Sequence, residues 1–361
     1  MEKERKKESA GPRKKKKNKN ILRHFRRWYR LHKKEVLYST VLCLCVLIVL
    51  GVLVAREQIS QKSLQVTAEN GHDVGNGFRE IEYKGRRYRY NSQIRMVLYA
   101  GVDGTGKMEP SLQYGNKARA DVISLLVMDK LNKKMTVIPI SRDTITEIRK
   151  YFLNGNDDGL YETHIGYAYS YGDGGKVSCE NLCEAVTNML GGIPVREYVV
   201  TNQDSMPYLN NLVGGVTVTV PNSDLQDAYP EFTEGNRVTI NDDNIAIFLR
   251  SRDTGEDFSN EGRMERQKAY MTAYVQRMQE MDLEEITDMW KSVEDMEEHL
   301  QTSIGKNEYL ELAQIFQEVR FSEEDFVTLE GDDRQGNLHD EFHLDEEALL
   351  KTIIELFYEE M

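Results

Sequence analysis

Residues 96–144 read MVLYAGVDGTGKMEPSLQYGNKARADVISLLVMDKLNKKMTVIPISRDT. Three apolar runs stand out in it: Met96–Val102 (MVLYAGV), Val122–Met128 (VISLLVM) and Met135–Ile140 (MTVIPI). Each has the length and apolar density of a buried strand. Tyr198–Thr201 and Val216–Val220 (VTVTV) read the same way. Helical patterns fall between and after them, over Cys179–Leu190, Glu261–Glu280, Leu283–Leu300, Glu308–Val319 and Glu346–Glu360. Strands alternating with helices predict an α/β domain whose mixed sheet is covered on both faces. Upstream, EIEYKGRRYRYN alternates Ile81/Tyr83 and Tyr88/Tyr90 around Lys84-Gly85, which predicts a hairpin.

The charge is unevenly distributed. Residues 1–35 carry 16 Lys/Arg and 4 Glu, and the rest of the 361-residue chain carries 31 basic against 56 acidic residues. An acidic body argues against a nucleic-acid-binding domain. Between head and body, Val36–Ala55 (VLYSTVLCLCVLIVLGVLVA) is apolar for long enough to cross the ~30 Å hydrocarbon core of a bilayer as a helix. No small-residue cleavage site follows before Arg56, so the run reads as an uncleaved single span rather than a signal peptide. The basic flank then predicts a cytoplasmic head 1–35, a transmembrane helix 36–55, a linker and hairpin 56–93, and an extracellular domain 94–361. Such a head suits anionic membrane lipid and lacks a DNA-binding helix pattern. Cys43 and Cys45 fall in the span. Cys179 and Cys183 share one face of a helical pattern, which predicts buried free thiols.

Charged groups gather at the ends of the strands. Asp103 follows the first strand between glycines, where a carboxylate either caps its own turn or faces a site. Arg119 and Asp121 precede VISLLVM and alternate onto one side of the chain, as a surface ion pair or as site residues. Ile140-Ser141-Arg142-Asp143-Thr144 ends the third strand in the place where open α/β sheets collect functional groups. The richest segment is FLRSRD, followed by Asp257 and GRMERQ. Arg250 and Arg252 are read there as sharing the face of a short strand, and Arg263 and Gln267 as sharing a helix face. Arg266 reads as an exposed helix charge. Arginine clusters suit bidentate phosphate recognition, and paired aspartates with phosphate oxygens are a usual cage for Mg²⁺. The composite predicts a phosphate or pyrophosphate ligand, and outside the cell near a membrane a lipid-linked phosphate is the natural candidate.

The order GVD, RAD, SRDT, THIGYAYSYG, LVGGVTV, FLRSRD and GRMERQK resembles the LytR–CpsA–Psr family of envelope proteins over roughly residues 94–357. The resemblance implies an α/β/α sandwich with a mixed central sheet and a long apolar pocket for a lipid tail, behind a single N-terminal transmembrane helix. It implies a phosphotransferase of the cell membrane that moves a glycopolymer, such as teichoic acid or capsule, from a polyprenyl pyrophosphate carrier onto peptidoglycan through a phosphodiester, with pyrophosphatase as a side activity. A membrane-anchored polyprenyl-lipid-binding or regulatory protein without turnover is the alternative. Position by position, the resemblance makes Asp103 and Asp121 the carboxylates for Mg²⁺ (or Mn²⁺). It makes Arg119, Arg142, Arg250, Arg252 and Arg263 the pyrophosphate clamp, with Gln267 beside it. Two departures stand out. Ile-Ser-Arg-Asp replaces the family's Ile-Pro-Arg-Asp, and Asn260 stands where the family has an acid three residues before the helix arginine. Asp257 is then the candidate general base.

Two histidine features weigh less. His164 in THIGYAYSYG is expected to be a hydrogen-bonded structural residue. His339-Asp-Glu-Phe-His343 differs from the H-E-x-x-H zinc helix in its acid, and the next helix starts only near Asp345.

Overall fold

The computed structural model describes residues 77–361 apart from 116, 252–259 and 337–338. The basic head, the apolar run 36–55, most of the linker, Arg252 and Asp257 lie outside the described residues. Glu80–Tyr83 (β1) and Arg86–Tyr90 (β2) form the expected hairpin, with Ile81 opposite Tyr88. Its two-residue turn needs positive φ at both central positions, and Lys84 (φ 49°) and Gly85 (φ 75°) supply it.

The three apolar runs become Ile94–Val102 (β3), Ala120–Asp129 (β4) and Lys134–Ile140 (β5). Ile145–Tyr151 (β6) and Asp157–His164 (β7) make a separate hairpin, and Lys176–Met189 (α1) leads to Glu197–Thr201 (β8). β8 joins β3 in parallel, while β4 pairs antiparallel with both β3 and β5. The central sheet is therefore mixed, as expected. Met206–Leu212 (α2), Val216–Thr219 (β9), Arg237–Ile240 (β10) and Ile245–Arg250 (α3) precede the long helix Asn260–Glu280 (α4). Leu283–Glu294 (α5), Leu300–Thr302 (β11) and Lys306–Glu318 (α6) follow, then the hairpin of Gly331–Gln335 (β12) and Asp340–Leu344 (β13), Glu346–Phe357 (α7) and Tyr358–Glu360 (β14). The central sheet runs β11-β8-β3-β4-β5.

Alternation along the strands splits the core into two layers. Met96, Leu98 and Ala100 face Leu182 and Val186 of α1 and Ile353 and Phe357 of α7. Val97, Met135 and Val137 face the other way, onto Val275 of α4, Leu312 and Ile315 of α6, and Phe321. The result is a three-layer α/β/α arrangement. A third cluster, Val216, Val218, Ile240, Ile245 and Phe248 with Tyr270 and Tyr274 of α4, holds β9, β10 and α3 beside it.

Three expected elements differ. FLR is helix rather than strand, because Ile245 and Phe248, three residues apart, are the positions that bury. Arg250 is therefore the last residue of a helix and not on a strand face. The helix expected to reach Leu300 stops at Glu294, and Leu300–Thr302 pairs with β8 at the sheet edge. The last helix stops at Phe357, and Tyr358–Glu360 pairs with β2. Among the described residues no helix is long and apolar enough to cross a membrane.

Candidate active site

Because β3 and β8 are parallel and β4 is antiparallel to its neighbours, the ends of β3, β5 and β8 and the start of β4 meet at one edge of the sheet. There the β3–β4 register slips: Gly101 pairs with Val122 but Val102 pairs with Ala120, leaving Asp121 as the unpaired residue of a bulge. Bulges re-aim side chains. Asp121 turns to the Arg142 guanidinium and pairs with it, while Arg119 lies over the Tyr167 ring, 5.3 Å from its centroid. Burial disfavours the Arg142 charge, but Asp121, with Asp143 and Asp103 beyond it, outweighs that and raises its pKa above the ordinary arginine value.

Asp103 holds a residue 16 positions on rather than capping its own turn. Its Oδ1 accepts from the Arg119 backbone N–H at 2.7 Å, and it lines a cavity of about 70 Å³ with Asp121, Asn202, Arg250, Arg263 and Gln267. Arg263 is 5 % exposed, near the start of α4. Gln267, one turn on, donates from Nε2 to the Leu249 carbonyl at 3.0 Å. Arg250 ends α3, exposed, on the same cavity. Arg119 and Arg142 line a neighbouring depression instead. The structure thus brings together Asp103, Asp121, Arg250, Arg263 and Gln267, places Arg119 and Arg142 next door, and says nothing of Arg252 or Asp257.

One part of the site carries no signal in the sequence. Asn202-Gln203-Asp204, after β8, ties down the loop that follows Asp103. Gln203 donates from its backbone N–H to Gly104 O at 3.1 Å and from Nε2 to Asp103 O at 2.8 Å. Asn202 Nδ2 donates to Gly106 O, and the Gly106 N–H donates to Asp204 Oδ2 at 2.6 Å. Asn202 is 3 % exposed, and its Oδ1 has no hydrogen-bond partner among the described residues. Two carboxylates and an amide oxygen around one small cavity are hard oxygen donors, which fit Mg²⁺; such ions keep few protein ligands and leave room for phosphate oxygens. Among the described residues no three His, Cys, Asp or Glu side chains cluster as a metal cage.

Arg266 is not an exposed helix charge. It is 0 % exposed, and donates from Nε to Phe248 O at 3.0 Å, from Nη1 to Asn222 Oδ1 at 3.1 Å and Asp224 Oδ2 at 3.0 Å, and from Nη2 to Ser251 O. Met264, Met271, Phe326 and Pro139 line a depression of about 30 Å³ between α4 and the β4–β5 pair. Tyr99, Tyr270 and Tyr274 lie half-buried near one another, and desolvation raises the phenol pKa of each. His164 Nε2 bonds the Asp340 carbonyl at 3.0 Å, in keeping with a structural role. His343 lies on β13, with Nε2 2.9 Å from Glu341, and His339 just precedes that strand, so the His-x-x-x-His spacing does not fall on a zinc-type helix. Cys179 and Cys183 are free and buried.

A mixed, doubly covered sheet defines an α/β protein, with arginines and two carboxylates collected at one end of the sheet. The chain belongs to the LytR_cpsA_psr family, whose model matches residues 57–357. It is 30% identical over 244 residues to the Bacillus subtilis polyisoprenyl-teichoic acid–peptidoglycan teichoic acid transferase TagV, covering 66% of this chain and 56% of that one. The chain thus spans little more than half the length of that relative. The Bacillus cereus TagU transferase is 25% identical over 255 residues, covering 68% of this chain and 72% of its own. The crystal structure of B. subtilis TagV superposes with a TM-score of 0.54 at 26% identity, over 73% of this chain and 97% of that one. A structure of TagT bound to LIIa-WTA, 18% identical with a TM-score of 0.54 over 79% and 98% of the two chains, shares the fold.

Proposed function

We propose that this protein is a Mg²⁺-dependent phosphotransferase that moves a glycopolymer from a polyprenyl pyrophosphate carrier onto peptidoglycan through a phosphodiester. The observation that carries it is the convergence of Arg250, Arg263 and Gln267 with Asp103 and Asp121 on one cavity, beside the Asp121–Arg142 pair. The names of the TagV and TagU relatives support the substrate classes. Arg250, Arg263 and Arg142 neutralise the pyrophosphate oxygens, and Gln267 orients them. A peptidoglycan hydroxyl oxygen bonds to the glycan-linked phosphorus, the bridging P–O bond breaks, and polyprenyl phosphate leaves with the bridging oxygen. The hydroxyl proton passes to a base in the site. Mg²⁺, when bound through Asp103 and Asp121, supplies charge neutralisation on the leaving phosphate. Positioning and electrostatics are the main work of such a site. Water in place of the acceptor gives slow pyrophosphatase activity. The protein acts at the outer face of the cell membrane, held by the span 36–55.

The test is incubation of the purified protein with a synthetic polyprenyl-pyrophosphate glycan, Mg²⁺ and peptidoglycan oligosaccharide. Covalent transfer is expected, lost in chelator and in Asp103→Ala and Asp121→Ala variants that remain folded. Donor binding without any transfer would leave a lipid-binding protein instead.

A further inference from the structure

The loop between Asp103 and Arg119 and the turn between β6 and β7 are bonded to each other. Three of the most exposed large apolar side chains among the described residues fall on them: Leu112 is 99 % exposed, Leu153 62 % and Phe152 53 %. The Tyr114 N–H donates to Leu153 O at 3.1 Å, which ties the loop to the turn two residues from Leu112. The Tyr114 and Tyr151 rings meet edge-on at 5.5 Å beside that tie. The turn closes through the Phe152 N–H to Asn156 O at 2.9 Å and the Gly155 N–H to Phe152 O at 2.8 Å. Backbone bonds thus fix the segments that present these three side chains to water.

A single exposed leucine is ordinary, whereas apolar side chains gathered on one surface mark an interaction. We propose that Leu112, Phe152 and Leu153 form a membrane-contact tip that dips into the headgroup layer of the bilayer. The inference rests on the membrane placement above and not on transfer. None of the three residues lines the cavities around Asp103 and Arg142, so the tip is additional to the pyrophosphate site.

Two observations favour a bilayer over a protein partner. The first is position. The loop leaves the sheet at Asp103, after β3, and returns at Arg119, before β4. The tip therefore belongs to the end of the sheet that holds the arginines and carboxylates, where a lipid-embedded donor is met. The second is charge. Residues 107–117 and 149–158 together carry Lys107, Lys117, Arg149 and Lys150 against Glu109, Asp157 and Asp158, whereas the chain after residue 35 carries 31 basic against 56 acidic groups. The tip is thus spared the acidic surplus that anionic headgroups repel. Leu131, the exposed leucine in the β4–β5 turn at the opposite end of the sheet, has Lys130, Asn132 and Lys133 as chain neighbours and no apolar companion there.

The experiment introduces a fluorescent reporter at each end of the sheet, Phe152→Trp or Leu131→Trp, in the full chain. Each variant is reconstituted in phosphatidylcholine–phosphatidylglycerol vesicles with plain or brominated acyl chains, and the emission added over wild type is read without donor or acceptor. Both positions are exposed, so the fold should survive, as checked by thermal melting. Brominated lipid should quench the added emission of Phe152→Trp by about half or more and leave that of Leu131→Trp nearly unchanged. Adding Leu112→Ser and Leu153→Ser to Phe152→Trp should cut that quenching at least about twofold, because less apolar surface is then buried. Phe152→Trp emission that is not quenched, equal quenching at both ends, or quenching that both serines leave intact overturns the proposal. Flotation of the wild-type chain with the same vesicles reads the span alone. A chain that floats while Phe152→Trp stays unquenched loses the tip and keeps the anchor.

Discussion

Arg263 and Arg266 are three residues apart on α4 and face opposite tasks. Arg263 lines the Asp103–Asp121 cavity, while Arg266 is fully enclosed and holds the carbonyls of Phe248 and Ser251 at the exit of α3. Burial pulls its pKa below the ordinary arginine value, and Asp224 pulls the other way. Asp224 is 41% exposed, so the ion pair is partly screened and most of the value lies in the two carbonyls. Arg266→Ala should therefore cost about 2–4 kcal/mol of folding stability, read by urea denaturation, since it strands buried acceptors. An unchanged urea midpoint would show that water replaces the guanidinium. Arg263→Ala should instead lower transfer by roughly thirtyfold or more, the cost of one charge-assisted phosphate contact in a partly dry site. At Gln203 the expectation is different again. Gln203→Ala removes the Nε2 bond to Asp103 O and should weaken Mn²⁺ binding by about tenfold, measured by electron paramagnetic resonance, with little change in metal-free melting. Equal losses in melting and metal binding would make Gln203 merely structural.

At the scale of elements, α1 shows what a helix in the core does to a thiol. Burial pushes Cys183 up to about 12 and Cys179 well above its ordinary value, with neighbouring Cys183 adding to the latter. The thiolate is the reactive form, so at pH 8 both should resist alkylation in the native protein and react only on unfolding, as mapped by mass spectrometry. Rapid native labelling of either would mean that α1 opens locally. The buried face of this helix was legible in the sequence because Cys179, Leu182, Val186 and Met189 recur at helical spacing. β3, β4 and β5 were legible because strands covered on both faces are apolar throughout. The strand-end positions of Asp103, Asp121 and Arg142 followed from theirs. FLR was misread because six residues are too short to show a period, and its helix is fixed by Ile245 and Phe248 packing on β9 and β10. The bulge at Asp121 depends on a pairing 20 residues away. Arg266 could not be told from a surface charge, since Asn222 and Asp224 meet it only after β9, β10 and α3 have folded. The tie of Asn202–Asp204 joins their side chains to backbone groups of a loop that precedes them by 96 to 100 residues, a pairing that sequence spacing does not reveal.

At the scale of the whole described domain, its first and last elements close on each other. β14 adds to β2 with Tyr358 opposite Tyr90 and Glu360 opposite Tyr88. Tyr358 donates its hydroxyl to Phe78 O at 2.6 Å, and the rings of Phe78, Tyr90 and Tyr358 stack edge-on at 5.2 and 5.9 Å. The Arg86–Glu360 ion pair across the same edge is largely exposed and contributes little. A two-stranded hairpin is marginal in water on its own, so β1 and β2 depend on this third strand and on the aromatic contact beneath it. Deleting residues 358–361 should therefore release the hairpin while leaving the central sheet, whose core lies on α1 and α7, in place. Limited trypsin digestion reads this directly, because Lys84, Arg86, Arg87 and Arg89 are exposed side chains currently held in paired backbone. Cleavage there should speed up at least about tenfold, as expected if a little over 1 kcal/mol of local closure is lost. Cleavage at the wild-type rate would show that the hairpin is held by β1, β2 and Asn91, whose N–H donates to Phe357 O at 2.8 Å, and that β14 is dispensable to it.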